Sequence, residues 1–246
     1  MKNTPAILLM MLMAADMSSI LAEAAPPSRE ERVMSKQWAA EHLGSGNAAL
    51  PFSFVYNGAS SSDLLPQLEG KSDIRELDKA RTERTLSWHD RQSGLVVRCV
   101  VVEYEDFPAV EWTLYFKNEG SESSPILKDV LGLDMRLAGG AGDEFVLYGT
   151  KGDWCTPDSF EPFEKKLAPG TAEQFAPYGG RPTNAAFPYY NLKTPGGGML
   201  LVIGWPGNTT APKPVPASCR PSGVRIAARK PKPFCFMISP QIQSTK

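Results

Sequence analysis

Between Gly149 and Leu192 the chain gathers the residue types that two kinds of chemistry require. Cleaving a glycosidic bond usually takes two carboxyl groups flanking it on a rigid scaffold. Asp153, Asp158, Glu161 and Glu164 supply carboxyls by type alone, and solvated loop acids are their plainer reading. Holding a sugar takes a flat apolar face with polar groups beside it. Trp154, Arg181 and Asn184 form a set better shaped for that task, because an indole can stack on a sugar ring while guanidinium and amide groups donate to hydroxyls.

Other chemistries find less support. Nucleophilic catalysis by Ser or Cys needs a base, and the chain has two histidines, His42 and His89, neither in the aromatic loop region and both expected to face solvent. No Gly-x-Ser-x-Gly elbow occurs. No phosphate-cradling glycine loop leads from strand to helix, since Gly196-Gly-Gly precedes a strand and reads as a tight turn. The four cysteines, Cys99, Cys155, Cys219 and Cys235, are far apart without a Cys-x-x-Cys pair, so neither a zinc site nor a cofactor is expected. Cys99 sits inside the apolar run Leu95 to Val102 and reads as a buried, inert thiol.

These residues must be positioned by strands. Ser28 to Leu43 reads as one short helix packing its Trp38 side onto the body, with Gly44 as its stop. After Leu50 the segments 52–56, 83–88, 95–104, 110–116, 126–135, 144–148 and 199–204 are each β-branched or aromatic and bounded by turn residues. The clearest alternation sets Val110, Trp112, Leu114 and Phe116 on one face against Glu111, Thr113 and Tyr115 on the other. Strand follows strand with few helical patterns between, which predicts an all-β fold, an antiparallel β-sandwich. The long run from Gly149 to Leu192 reads as irregular, and its aromatic content argues for function over disorder.

The ends differ from the middle. Residues 1–24 carry Lys2 near their start, continue through an apolar run and close on Ala-Glu-Ala, the order of a secretory signal. That run is too short to span a bilayer, so a secreted or periplasmic chain, free of the membrane after cleavage, is expected. Residues 25–49 form the helical segment, 50–207 one sandwich domain, and 208–246 an irregular basic tail. The tail carries seven basic residues, seven prolines and no acid, leaving 19 basic against 27 acidic residues before it. Its charges are interleaved with prolines and lack a folded platform, so no nucleic-acid partner is expected. Asn208-Thr-Thr in the tail is a glycosylation sequon.

Residues 106–120, the Gly-Asp-Trp-Cys loop at 152–155, residues 179–192 and residues 195–207 together resemble the N-terminal domain of the melibiase-type α-galactosidases, glycoside hydrolase family 36 and its relatives. The resemblance covers roughly residues 50–207. It implies a large β-sandwich (a supersandwich) that packs on a following (β/α)8 barrel, with both catalytic aspartates in the barrel. Loops of the sandwich would then shape the sugar subsite, which carries Asp153, Trp154 and Arg181 over as substrate-side residues and assigns no catalytic residue in this chain. A (β/α)8 barrel needs about 250 residues, and 39 follow Gly207. The expectation is therefore a truncated, non-catalytic domain whose reading frame shifts near Gly207. Its partners would be an α-galactoside and a separate catalytic barrel. The alternatives are a stand-alone carbohydrate-binding module and a structural interaction module.

Overall fold

The computed structural model describes residues 26–44, 49–135, 144–167, 183–195 and 197–203, together with the backbone of Phe234–Ile238. The expected signal segment 1–24 and the rest of the basic tail, with its sequon, lie outside the described residues.

Helix α1 spans Arg29–Leu43. Ser28 caps it in a reciprocal box: the Glu31 N–H donates to Ser28 Oγ at 3.1 Å, and the Ser28 N–H donates to Glu31 Oε2 at 2.7 Å. The helix ends at Gly44, where the backbone turns extended (φ −72°) instead of left-handed. Trp38, Ala39 and Leu43 are buried, as the expected packing of the Trp38 side requires, whereas Val33 faces solvent.

Twelve strands follow: β1 Ser53–Tyr56, β2 Ala59–Ser60, β3 Glu69–Asp78, β4 Arg81–His89, β5 Leu95–Tyr104, β6 Ala109–Asn118, β7 Leu127–Leu131, β8 Phe145–Lys151, β9 Pro162–Leu167, β10 Ala186–Thr194, β11 Gly197–Ile203 and β12 Phe234–Ile238. A one-turn helix, α2 Ser61–Leu64, and a 3-10 turn, Leu65–Gln67, separate β2 from β3. Nine strands form one sheet in the order β3-β4-β5-β6-β12-β11-β10-β8-β9, and three form a second in the order β2-β1-β7. The fold is an all-β sandwich.

β5 and β6 explain the shape. In β6, Val110, Trp112, Leu114 and Phe116 are buried while the alternate residues are not, the pattern read from the sequence. In β5, Leu95, Val97, Cys99 and Val101 line the same face. That row must be covered. Phe54 of β1 meets Phe116 edge to face with centroids 5.1 Å apart, and Phe52 meets Trp88 of β4 at 6.2 Å. Trp112 Nε1 donates to the Gly132 carbonyl beyond β7 at 2.9 Å, so the buried indole N–H is satisfied. Helix α1 covers the neighbouring part of the row over β5, β6 and β12. Burying side chains of this size contributes roughly 1.5–3 kcal/mol each.

The β4–β5 turn shows local sequence at work. Asp90 accepts from the Gln92 N–H at 2.9 Å and the Ser93 hydroxyl at 2.6 Å, while the Gly94 N–H returns to the Asp90 carbonyl at 2.9 Å. Those bonds, led by Ser93, hold the Asp90 carboxyl below its ordinary range. Gly94 has φ +74°, and a Cβ there would come within 2.3 Å of the Gly120 N–H nitrogen.

Most of the sheet is antiparallel, but β12 runs parallel to both its neighbours, with Cys235 opposite Ala109 of β6 and Leu200 of β11. This is the one apolar piece of the tail, and it fills the gap between the two halves of the large sheet. The irregular region expected between Gly149 and Leu192 contains the end of β8, all of β9, most of β10, and a loop at 152–161. The two histidines are half-buried, contrary to the solvent-facing position expected of them. His42 packs beside the Trp38 ring with centroids 4.7 Å apart, and its Nδ1 lies 2.9 Å from the Ala49 carbonyl. His89 sits at the end of β4, in register with Glu69 and Val96.

Candidate functional site

Loop 152–161 leaves β8 and returns to β9, and its backbone is held at both ends. At its base the Lys151 N–H donates to the Glu161 carbonyl at 2.9 Å. Gly152 is buried against residues 183–186, where an added Cβ would fall 2.3 Å from both the Thr183 carbonyl oxygen and the Ala186 nitrogen. Only a glycine lets the two chains approach this closely. The contact continues with the Asp153 N–H donating to the Thr183 carbonyl at 2.8 Å and a bridge between Asp153 and Asn184.

Beyond that bridge the loop folds on its own short polar side chains. Asp153 Oδ1 accepts from the Cys155 N–H at 2.8 Å, an Asx-type turn that carries Cys155 into the left-handed region at φ +57°. Ser159 Oγ accepts from both the Trp154 and the Thr156 N–H groups at 3.1 Å. The result is an ordered turn with the Trp154 side chain half exposed at 50%.

The loop acids serve its closure. Lys151 Nζ lies 2.5 Å from Glu161 and 3.2 Å from Asp158. The Thr156 hydroxyl donates to Asp158 at 2.7 Å. Thr156, then Lys151, hold the Asp158 carboxyl below its ordinary range, which makes it a poor proton donor at neutral pH. Glu161, then Asp158, raise Lys151 in turn. Glu164 lies apart, at an exposed position of β9. Among the described residues no group of three His, Cys, Asp or Glu side chains is placed to hold a metal ion.

Of the expected substrate-side residues, the structure brings Asp153 and Trp154 together in this loop and adds Asn184 across the bridge. Arg181 lies outside the described residues. The sequence reading missed a row of aromatic rings next to them. Phe160, at the loop's end, meets Phe187 edge to face at 5.7 Å, and Phe187 stacks on Tyr189 at 5.1 Å and 23°. Phe160 and Tyr189 are about half exposed. The signal was present as Phe187 and Tyr189 two apart on a strand, the period that puts both on one face. Pro188 between them made the segment read as loop.

The described part of the chain is therefore an all-β sandwich presenting an aromatic surface beside a tightly closed loop. Comparison with protein-family models, with curated proteins and with solved structures gives no match to the chain. No described helix is long and apolar enough to cross a membrane.

Proposed function

We propose that the chain is a carbohydrate-binding sandwich domain of the kind that precedes the catalytic barrel in melibiase-type α-galactosidases, acting in α-galactoside hydrolysis without supplying the catalytic carboxyl pair. The observation that carries the reading is the half-exposed Trp154 indole, held by an ordered loop whose backbone is closed by Gly152, Asp153 and Ser159. A preset aromatic face costs little entropy when a sugar ring stacks on it. Asp153 and Arg181 would accept from and donate to the hydroxyls around that ring. With residues 1–24 acting as a signal, the domain would work outside the cytoplasm.

Titration of the full chain with an α-galactoside, followed by Trp fluorescence and calorimetry, tests this. Saturable binding that weakens about tenfold or more in Trp154→Ala, with the circular dichroism spectrum unchanged, is the expected result. Equal binding by Trp154→Ala would overturn the assignment of the site. Turnover of a chromogenic α-galactoside that stays with the protein through purification would overturn its non-catalytic character.

A second reading is favoured by the outer face of β10 and β11, where Tyr189 and Leu200 are about half exposed and diagonal neighbours. Such a patch suits docking on a catalytic barrel carried by a separate chain. Co-sedimentation with an isolated barrel, lost in Leu200→Asp, would favour it.

A further inference from the structure

Strand β3 (Glu69-Gly-Lys-Ser-Asp-Ile-Arg-Glu-Leu-Asp) closes one side of the nine-stranded sheet and is exposed along all of its length. One edge pairs with β4, and the other pairs with nothing among the described residues. Ser72, Ile74 and Glu76 lie on the row that continues through Leu86 into the core, yet the covering sheet stops short of them, leaving Ile74 57% exposed. Asp73 and Arg75 share the opposite row, and a bulge between Glu76 and Asp78 ends the regular pairing with β4. Charges along the strand and the bulge after Glu76 limit what can pair with this edge, so a strand that adds to it around the bare isoleucine must match those charges.

We propose that β3 pairs antiparallel with β3 of a second copy of this chain, joining two sheets across a two-fold axis that passes between the two Ile74 residues. A two-fold perpendicular to a continuous sheet keeps each side chain on its own face, so one residue must sit opposite itself and its neighbours must pair symmetrically about it. Centred on Ile74, the register pairs residues 72–76, the stretch that ends at the bulge between Glu76 and Asp78, sets the two isoleucines together, and places Asp73 of each copy opposite Arg75 of the other. Asp73 makes no ion pair among the described residues, and Arg75 holds Glu83 at 2.8 Å, leaving its remaining guanidinium donors to receive a second carboxylate.

Neighbouring registers fail by charge. Centring on Asp73 sets that residue opposite itself and Lys71 opposite Arg75, and centring on Arg75 sets two guanidinium groups together. A register centred on Ser72 also opposes unlike charges, Lys71 with Asp73 and Glu69 with Arg75. It sets Ile74 against Gly70, leaving the isoleucine without an apolar partner, and draws on Glu69 and Lys71, which already form ion pairs with each other and, for Glu69, with Arg91. Directly opposed unlike charges stabilise a strand pair and like charges oppose it, so the Ile74 register is selected.

This surface is independent of the sugar reading, and its test does not depend on a ligand. Sedimentation velocity of the full chain at micromolar concentration should show a dimer whose dissociation constant rises with salt. Asp73→Arg and Arg75→Asp should each raise that constant about tenfold or more, as should Ile74→Lys, which sets two ammonium groups face to face. The double variant Asp73→Arg/Arg75→Asp should restore the dimer. In the Ser72 register the same double variant would oppose like charges at every pair, so failure of rescue would overturn the assignment. A wild-type chain that stays monomeric at 100 times the micromolar range, or a dimer indifferent to all three single variants, would overturn it as well. Circular dichroism on each variant confirms the folded state.

Discussion

Trp38 of α1 lies stacked on Trp112 of β6, the ring centroids 5.7 Å apart and the planes inclined by 28°. The contact ties the only long described helix to the middle of the large sheet, and it links residues 74 positions apart. Because Trp38 is 8% exposed and Trp112 1%, truncating Trp38 leaves a cavity that the rigid indole below cannot fill. Trp38→Ala should therefore cost about 3 kcal/mol of stability in urea unfolding. Trp38→Phe, which keeps a ring on Trp112, should cost clearly less. Equal stability of the two variants would show that neither the volume of a ring at this site nor its stacking on Trp112 contributes to the fold.

Gly152 sets the position of the candidate sugar loop. An alanine there would need the 183–186 segment to withdraw, since its Cβ would sit 2.3 Å from a carbonyl oxygen and a peptide nitrogen. Overpacking of this sort costs about 1–3 kcal/mol. The expected outcome for Gly152→Ala is a lowered melting temperature, a shifted Trp154 emission and weakened galactoside binding together. Unchanged binding would separate the loop from the site.

Cys99 makes the fold sensitive to alkali. The thiol is 0% exposed, and burial pushes its ionisation far up, with Tyr190 pushed up by burial in the same way. An unfolded cysteine loses its proton near pH 8.5 and a tyrosine near pH 10. Above each of those values the unfolded chain has given up a proton that the folded chain still holds, so stability is fully present below and falls as pH rises, by up to about 1.4 kcal/mol per pH unit for each group. Urea midpoints measured from pH 7 to 11 should decline from about pH 8.5, and Cys99→Ala should move the onset toward 10. In the native state iodoacetamide should label the exposed Cys155 and leave Cys99 unmodified, as site-resolved mass spectrometry would show.

How much of this was legible in the sequence follows from what each strand buries. β5 and β6 could be read because one face is wholly inside and its residues are β-branched or aromatic. β3 could not, since a strand exposed on both faces has no apolar period to detect. β9 hides Phe163, Lys165 and Leu167 among charges, with only half-buried positions to mark it. β10 holds Pro188 and a bulge between Ala186 and Tyr190, and both masked its alternation. In the candidate site Trp154 stood out by type. The partnership of Phe160 with Phe187 depends on a turn that returns the chain to the sheet, which local pattern does not encode. The place of Phe234–Ile238 was the least legible of all: its apolar character was visible, but pairing with residues 109–112 is a long-range event.

That pairing yields the prediction with most at stake for the fold. β12 is hydrogen-bonded on both sides, to β6 and to β11, and among the described strands it alone connects the half-sheet β3–β6 with the half-sheet β11, β10, β8 and β9. Phe236 lies at its centre, opposite Val110 and Leu201, both buried. Proline at this position removes an N–H from an interior strand and leaves a neighbouring carbonyl unpaired away from water, at a cost of about 1–3 kcal/mol before any loss of packing. Phe236→Pro should lower the melting temperature by several degrees and speed proteolysis. Protection of the β6 and β11 amides against hydrogen exchange should fall together. Phe236→Ala keeps the N–H and serves as the control that leaves the backbone ladder intact. A Phe236→Pro protein with wild-type melting and exchange would mean that β6 and β11 do not depend on β12, and that the two half-sheets are held together through α1 and the core alone.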